Sequence, residues 1–227
     1  LGHEITFNDD NFGCIEISLG NNKKVKLTGK IDRADYFDNE DGRYIRVVDY
    51  KTGNKVFNFT DVYHGLDVQL IVYLNALVKS TDRGHHAGAL FFRIQNPIAE
   101  YNEHPDDVEL QKMLLKNSSM TGIVSDDEHV LNAYSKGSLS SEKNATPSQF
   151  CALSDYVESV IKSSAQALSD GKIDINPYTK SSASPCLYCD FSKICNFGDS
   201  EKNEYRVLET VSEKKFWETI TQKKDDK

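Results

Sequence analysis

At 227 residues the chain is long enough to bury one sizeable core, and 38% apolar with 27% charged residues describes a soluble globular protein. Its formal net charge of −8 counts against a free-standing, high-affinity nucleic-acid binder, whose footprint is normally basic. No run approaches the roughly 18 apolar residues of a membrane span and no signal peptide opens the chain, so a cytoplasmic setting without a membrane partner is expected.

The chain opens on Leu1 rather than Met and reads as strand almost at once, as a piece cut from a longer protein would. Short strands are predicted at residues 4–7 and 14–19. Residues 25–36 and 44–51 are rich in β-branched and aromatic side chains, and between them Asp38-Asn-Glu-Asp-Gly42 is a run of turn formers, so a β-hairpin is predicted. If its turn centres between Glu40 and Asp41, Asp32 faces Asp49 across the strands, with Cβ atoms roughly 5 Å apart. Lys51 lies two residues beyond Asp49 and leaves the same face. Like charges placed opposite each other destabilise a sheet unless something neutralises them. Mg²⁺, which takes a few carboxylate or carbonyl oxygens and keeps several waters, is one solution. The other is a solvated ion network in which Lys51, Arg33 and Lys30 balance the acids, and a one-residue slip in register would move an acid to the other face.

Leu66, Leu70, Tyr73 and Leu77 recur at helical spacing and predict an amphipathic helix over 65–78, followed by a buried strand over 87–95. Three strands, a helix and a strand in that order describe an α/β domain whose last strand enters after a crossover. One domain is expected, made of a core over 1–97, a polar and irregular insertion over 98–147, a cysteine-bearing part over 148–200 and a charged tail over 201–227. A long helix is predicted at 148–169 with Gly171 ending it, and one more near 212–221.

Three of the five cysteines, Cys186, Cys189 and Cys195, are spaced C-x2-C-x5-C. In a chain with no signal peptide this spacing points to metal ligation rather than disulfides. Tetrahedral zinc and iron–sulfur clusters both want four ligands, and only three are local. Cys14 or Cys151 could supply the fourth, although such residues are more often core packing, or it lies upstream of the chain.

Gly29-Lys-Ile-Asp32-Arg33, Val48-Asp49-Tyr50-Lys51-Thr52-Gly53 and Gln69-Leu-Ile-Val-Tyr73, taken in order, resemble the nuclease core of the PD-(D/E)XK superfamily in its RecB-like branch. With Asn176-Pro-Tyr178 and the three cysteines behind them, they resemble in particular the AddB/RexB family within the AddAB (RexAB) helicase–nucleases, over nearly the whole chain. The resemblance implies an α/β, restriction-endonuclease-like core: a mixed sheet with a catalytic hairpin and flanking helices, plus the C-terminal cysteine segment. It implies Asp32, Asp49 and Lys51 as the catalytic set, with Asp32, Asp49 and the Tyr50 carbonyl on Mg²⁺. Gln69 and Tyr73 would support the lysine and the DNA strand. Cys186, Cys189 and Cys195 would ligate a [4Fe–4S] cluster whose fourth thiolate lies upstream. Two features of the family are missing from the chain, a histidine on a helix before the first strand and that first cluster cysteine, so the chain alone is expected to be a weak nuclease without a stable cluster.

The activity implied is Mg²⁺-dependent DNA exonucleolysis on single strands or unwound duplex ends, beside an AddA/RexA-like partner subunit, in double-strand break processing. The alternative is a non-catalytic DNA-binding or subunit-docking module built around a structural metal cluster. A zinc-ribbon interaction domain would explain the cysteines and leave the hairpin acids unexplained.

Overall fold

The computed structural model describes residues 2–8, 15–20, 22–94, 119–134, 139–181, 183–197 and 203–225, with single positions at 108 and 111. Strand β1 (Gly2–Phe7) is followed by β2 (Ile15–Gly20), β3 (Lys23–Leu27), β4 (Gly29–Asp38) and β5 (Arg43–Lys51). A short helix α1 (Phe59–Tyr63) and the longer α2 (Gln69–Ser80) lead into β6 (Gly84–Arg93). Then come β7 (Met120–Ser125), α3 (Glu128–Asn132), β8 (Leu139–Ala145) and α4 (Pro147–Ser169). The C-terminal part holds β9 (Tyr178–Thr179), a 3-10 turn over Pro185–Tyr188, α5 (Ser192–Cys195), β10 (Arg206–Val207) and α6 (Glu213–Asp225).

The main sheet has six strands in the order β1-β4-β5-β6-β7-β8. β4 and β5 are antiparallel, while β6 joins β5 in parallel after the α1–α2 crossover, so the α/β order read from the sequence holds. The hairpin turns where predicted. Arg33 faces Val48 and Asp38 faces Arg43, and the Asn39 side chain accepts from the Asp41 and Gly42 amides to close the turn. Gly42 is required there, because its φ is +146° and a Cβ would lie 2.2 Å from the Arg83 carbonyl oxygen.

Three expectations are corrected. The strand expected over 25–36 is two strands that part at Thr28: β3 pairs with β2 in a separate ribbon, and β4 enters the main sheet. The helix expected from residue 65 begins at Gln69, since Gly65 and Asp67 both take positive φ and the Gly65 and Leu66 amides close the end of α1 instead. Residues 98–147 are not merely an irregular insertion. β7 and β8 extend the main sheet past β6, with Gly122 approaching the Ala89 carbonyl where a Cβ would sit 2.2 Å away.

The larger core lies between the sheet and α1, α2, α4 and α6, around Ile31, Val47, Leu74, Ala89, Phe150, Leu153 and Phe216. Helix α4 starts one residue before the expected Ser148. Thr146 and Gln149 form a capping box, Pro147 stands in the first turn, and Gly171 at φ +71° follows the end. Helix α6 is highly charged, yet Phe216, Trp217 and Ile220 are buried in this core, and Phe216 packs on Phe59 and Tyr156. A smaller cluster of Tyr44, Val48, Ala87, Leu90, Val124 and Val130 covers the other face of the sheet. No helix among the described residues is long and apolar enough to cross a membrane.

Candidate active site

The end of β5 divides its side chains between the two faces. Val47 belongs to the larger core and Val48 to the smaller one, with Tyr50 packed against the latter. Strand alternation therefore places Asp49 and Lys51 on the α2 side and the Tyr50 ring on the back. Asp49 is 5% exposed. The Lys51 ammonium lies 2.6 Å from Asp49 Oδ2, an ion pair made off the hydrogen-bond axis, so that buried oxygen lacks an aligned donor.

Asp32 would be the next residue in register after the Arg33–Val48 pair, but the β4–β5 ladder stops at that pair. Beyond it the Asp32 carboxylate accepts the Tyr50 amide at 2.9 Å, in place of a ladder bond. On its other side β1 skips the same row: His3 pairs with Arg33 and Ile5 with Ile31, while Glu4 between them adopts φ +53°. Ile31 and Ala34 both enter the larger core although they are three residues apart, so β4 changes face locally at Asp32 and Arg33. Asp32 thus meets the backbone next to Asp49 where the ladder has ended, in place of the regular cross-strand pair expected.

The cations around the acids are also sorted more narrowly than a general ion network. Among the described residues, Lys51 is the cation that meets Asp49. Lys30 reaches Glu4 at 3.1 Å, and Arg33 forks onto Asp35 with its Nε 3.0 Å from both carboxylate oxygens. Burial would raise the pKa of Asp35, but the hydrogen bonds from Arg33 and Arg46 outweigh it and hold the carboxyl below its usual range. The Asp35–Arg46 pairing went unremarked in the sequence, although the predicted turn places these two residues opposite each other.

Gln69 and Tyr73 meet as their spacing on α2 implies, with the Gln69 amide donating to the Tyr73 hydroxyl at 2.7 Å. The Tyr73 ring stands edge-on to Phe7, 5.5 Å between centroids. Gly29 makes room for both, since a Cβ there would lie 2.8 Å from the Phe7 ring and 3.0 Å from Tyr73. Tyr73 is therefore seated against the strand that carries Asp32, with Gln69 bonded to its hydroxyl.

A family model described as the PD-(D/E)XK nuclease superfamily matches residues 1–196. The chain belongs to this superfamily. It is also 34% identical, over 242 residues, to the B-type subunit of the ATP-dependent helicase/deoxyribonuclease of Thermoanaerobacter sp. (strain X514), an alignment covering 96% of this chain and 21% of that protein. The proteins of the same name from Clostridium novyi (strain NT) and Clostridioides difficile (strain 630) are 33% and 34% identical, over 97% and 93% of this chain and 21% of each relative. The chain spans about a fifth of the length of these curated relatives.

The superfamily implies a divalent cation at the hairpin, and the donor set suits one. A buried Asp49 oxygen without an aligned donor, a second carboxylate where the ladder ends and the Tyr50 backbone between them are oxygen donors of the kind Mg²⁺ accepts. Among the described residues no group of three His, Cys, Asp or Glu converges, so water would complete the shell.

The cysteine segment is different. Cys186, Cys189 and Cys195 do not form a converging three-ligand group. Desolvation, and then the nearby Cys186 and Cys195, raise the pKa of the Tyr205 hydroxyl. Cys151 is exposed on α4, and Cys14 falls outside the described residues. The parallel pairing of β9 with β10 closes the segment on itself, and an ion pair from Lys180 to Asp61 on α1 ties it to the body.

Proposed function

We infer that the chain is the nuclease domain of a helicase–nuclease and hydrolyses DNA phosphodiesters with Mg²⁺, acting on single strands or unwound duplex ends during break repair. The observation that carries this reading is the buried Asp49 oxygen, which has the Lys51 ammonium at 2.6 Å but no aligned hydrogen-bond donor, close to the Asp32–Tyr50 link; a divalent cation would complete its surroundings. Asp32, Asp49 and the Tyr50 carbonyl would hold Mg²⁺, which when bound lowers the pKa of its water and polarises a phosphoryl oxygen.

The chain's own residues supply the rest. Lys51, held at Asp49, orients the attacking water and offsets negative charge developing on the phosphate. Gln69 and Tyr73 present an amide and a phenol from α2 and help position the strand beside the lysine. The net charge of −8 opposes DNA approach, so the basic channel comes from the partner subunit or the rest of the protein. Cys186, Cys189 and Cys195 contribute three thiolates to an iron–sulfur cluster in the intact protein, and no step of the hydrolysis passes through them.

The test is single-turnover cleavage of end-labelled DNA by the intact protein and its Asp49→Ala variant. Removing this carboxylate loses a ligand and relieves repulsion, so cleavage should fall by about a hundredfold or more at an unchanged unfolding midpoint. Undiminished cleavage with a matched midpoint would overturn the assignment.

A further inference from the structure

The β4–β5 ladder ends at Arg33–Val48, and beyond it a side-chain hydrogen bond takes the place of a ladder bond. On one side the Asp32 carboxylate holds the Tyr50 amide. On the back, Arg33 and Tyr50 are diagonal neighbours across the strands, and the Tyr50 phenol adds to the raising of the Arg33 pKa that Asp35 dominates. Tyr50 is thus the crossbar where the ladder ends: its backbone lies between Asp49 and Lys51, and its side chain passes through to the other face.

The back of the crossbar is held firmly. Arg33 is oriented by its fork onto Asp35, and Asp35 is gripped from the far side by Arg46, whose Nε and Nη2 lie 2.9 and 2.8 Å from its Oδ2. Arg46 in turn stands over the Tyr134 ring, 5.1 Å from its centroid. The Tyr50 ring meets Phe92 edge-on at 5.8 Å. A guanidinium is suited to this position because its planar fork can hold a carboxylate and still offer donors to a phenol, which an ammonium on a flexible stem does less well.

We propose that Arg33 is a positioning residue for the divalent-cation site, setting through Tyr50 how far β5 parts from β4 and so the spacing of Asp32, Asp49 and the Tyr50 carbonyl. This rests on the metal-site reading given above. Arg33 touches neither cation nor substrate. Its loss lets the end of β5 move relative to Asp32, which weakens cation binding before it weakens the fold, because both cores remain intact.

The experiment is a Mn²⁺ titration of the full chain, followed by loss of the free-ion electron paramagnetic resonance signal, with the unfolding midpoint measured without metal. The Arg33→Gln and Tyr50→Phe variants should each bind Mn²⁺ about tenfold more weakly, in the range found for groups that orient metal ligands. Arg33→Lys should restore part of that loss, and Tyr50→Phe should keep the midpoint of the unaltered chain. Tyr50→Phe removes only the hydroxyl, so it answers the question even if Arg33→Gln fails to fold. Unchanged Mn²⁺ affinity in Tyr50→Phe, with binding abolished in Asp49→Ala, overturns the role of Arg33 and leaves the metal site standing. Equal binding by the unaltered chain and Asp49→Ala overturns both.

Discussion

His86 offers a quantitative test of how the helices are pinned to the sheet. Its Nε2 lies 3.2 Å from Asn75 Oδ1 on α2 and 3.1 Å from Ser154 Oγ on α4, and its ring stacks on Phe150 at 5.4 Å. Burial, then the nearby positive charges of His85 and Lys79, lower its pKa from 6.5 to about 4. The folded chain therefore keeps His86 neutral where the unfolded chain binds a proton. The stability this contributes is fully present above about pH 6.5 and is lost as pH falls toward 4. At about 1.4 kcal/mol per pH unit the loss amounts to about 3 kcal/mol. Urea unfolding of the parent and of His86→Phe, which keeps the stacked ring, should be compared at about pH 7 and about pH 4.5. The parent should lose about 2–3 kcal/mol more than the variant between those two conditions. Parallel loss in both proteins would refute the argument that this histidine is buried neutral.

Two further outcomes follow from the C-terminal part. Phe216→Ala should destabilise the chain by about 3–5 kcal/mol in urea unfolding, because the ring is fully buried against Phe59 and Tyr156, and a loss below about 1 kcal/mol would show that α6 is peripheral. Cys189→Ala in the intact protein, purified anaerobically, should lower iron content and increase proteolysis of the segment around residues 185–197, whereas unchanged iron would exclude Cys189 as a ligand.

The hairpin was readable because its turn formers fix the register and its strands carry the residues that pleated, half-buried surfaces favour. The end of helix α4 was readable from Gly171, while its capping box and first-turn proline set a start one residue earlier than expected. β8 was not, since Leu139–Ala145 is an edge strand of mostly polar residues, the composition that keeps such edges from pairing with other chains. The tail helix was visible but its burial was not, because Phe216, Trp217 and Ile220 are few among many charges. At the site, residue types and order pointed to Asp32, Asp49 and Lys51. The change of face in β4 next to Asp32, where Ile31 enters the same core as Ala34, breaks the alternation on which sequence reasoning depends.

The account stands on a divalent cation held at the hairpin. Crystals of the chain soaked in Mn²⁺ and measured at the manganese edge should show an anomalous peak within about 2.5 Å of carboxylate oxygens from both Asp32 and Asp49 and of the Tyr50 carbonyl oxygen. A peak bound elsewhere, or none at these oxygens in a preparation that cleaves DNA with Mn²⁺, would contradict it.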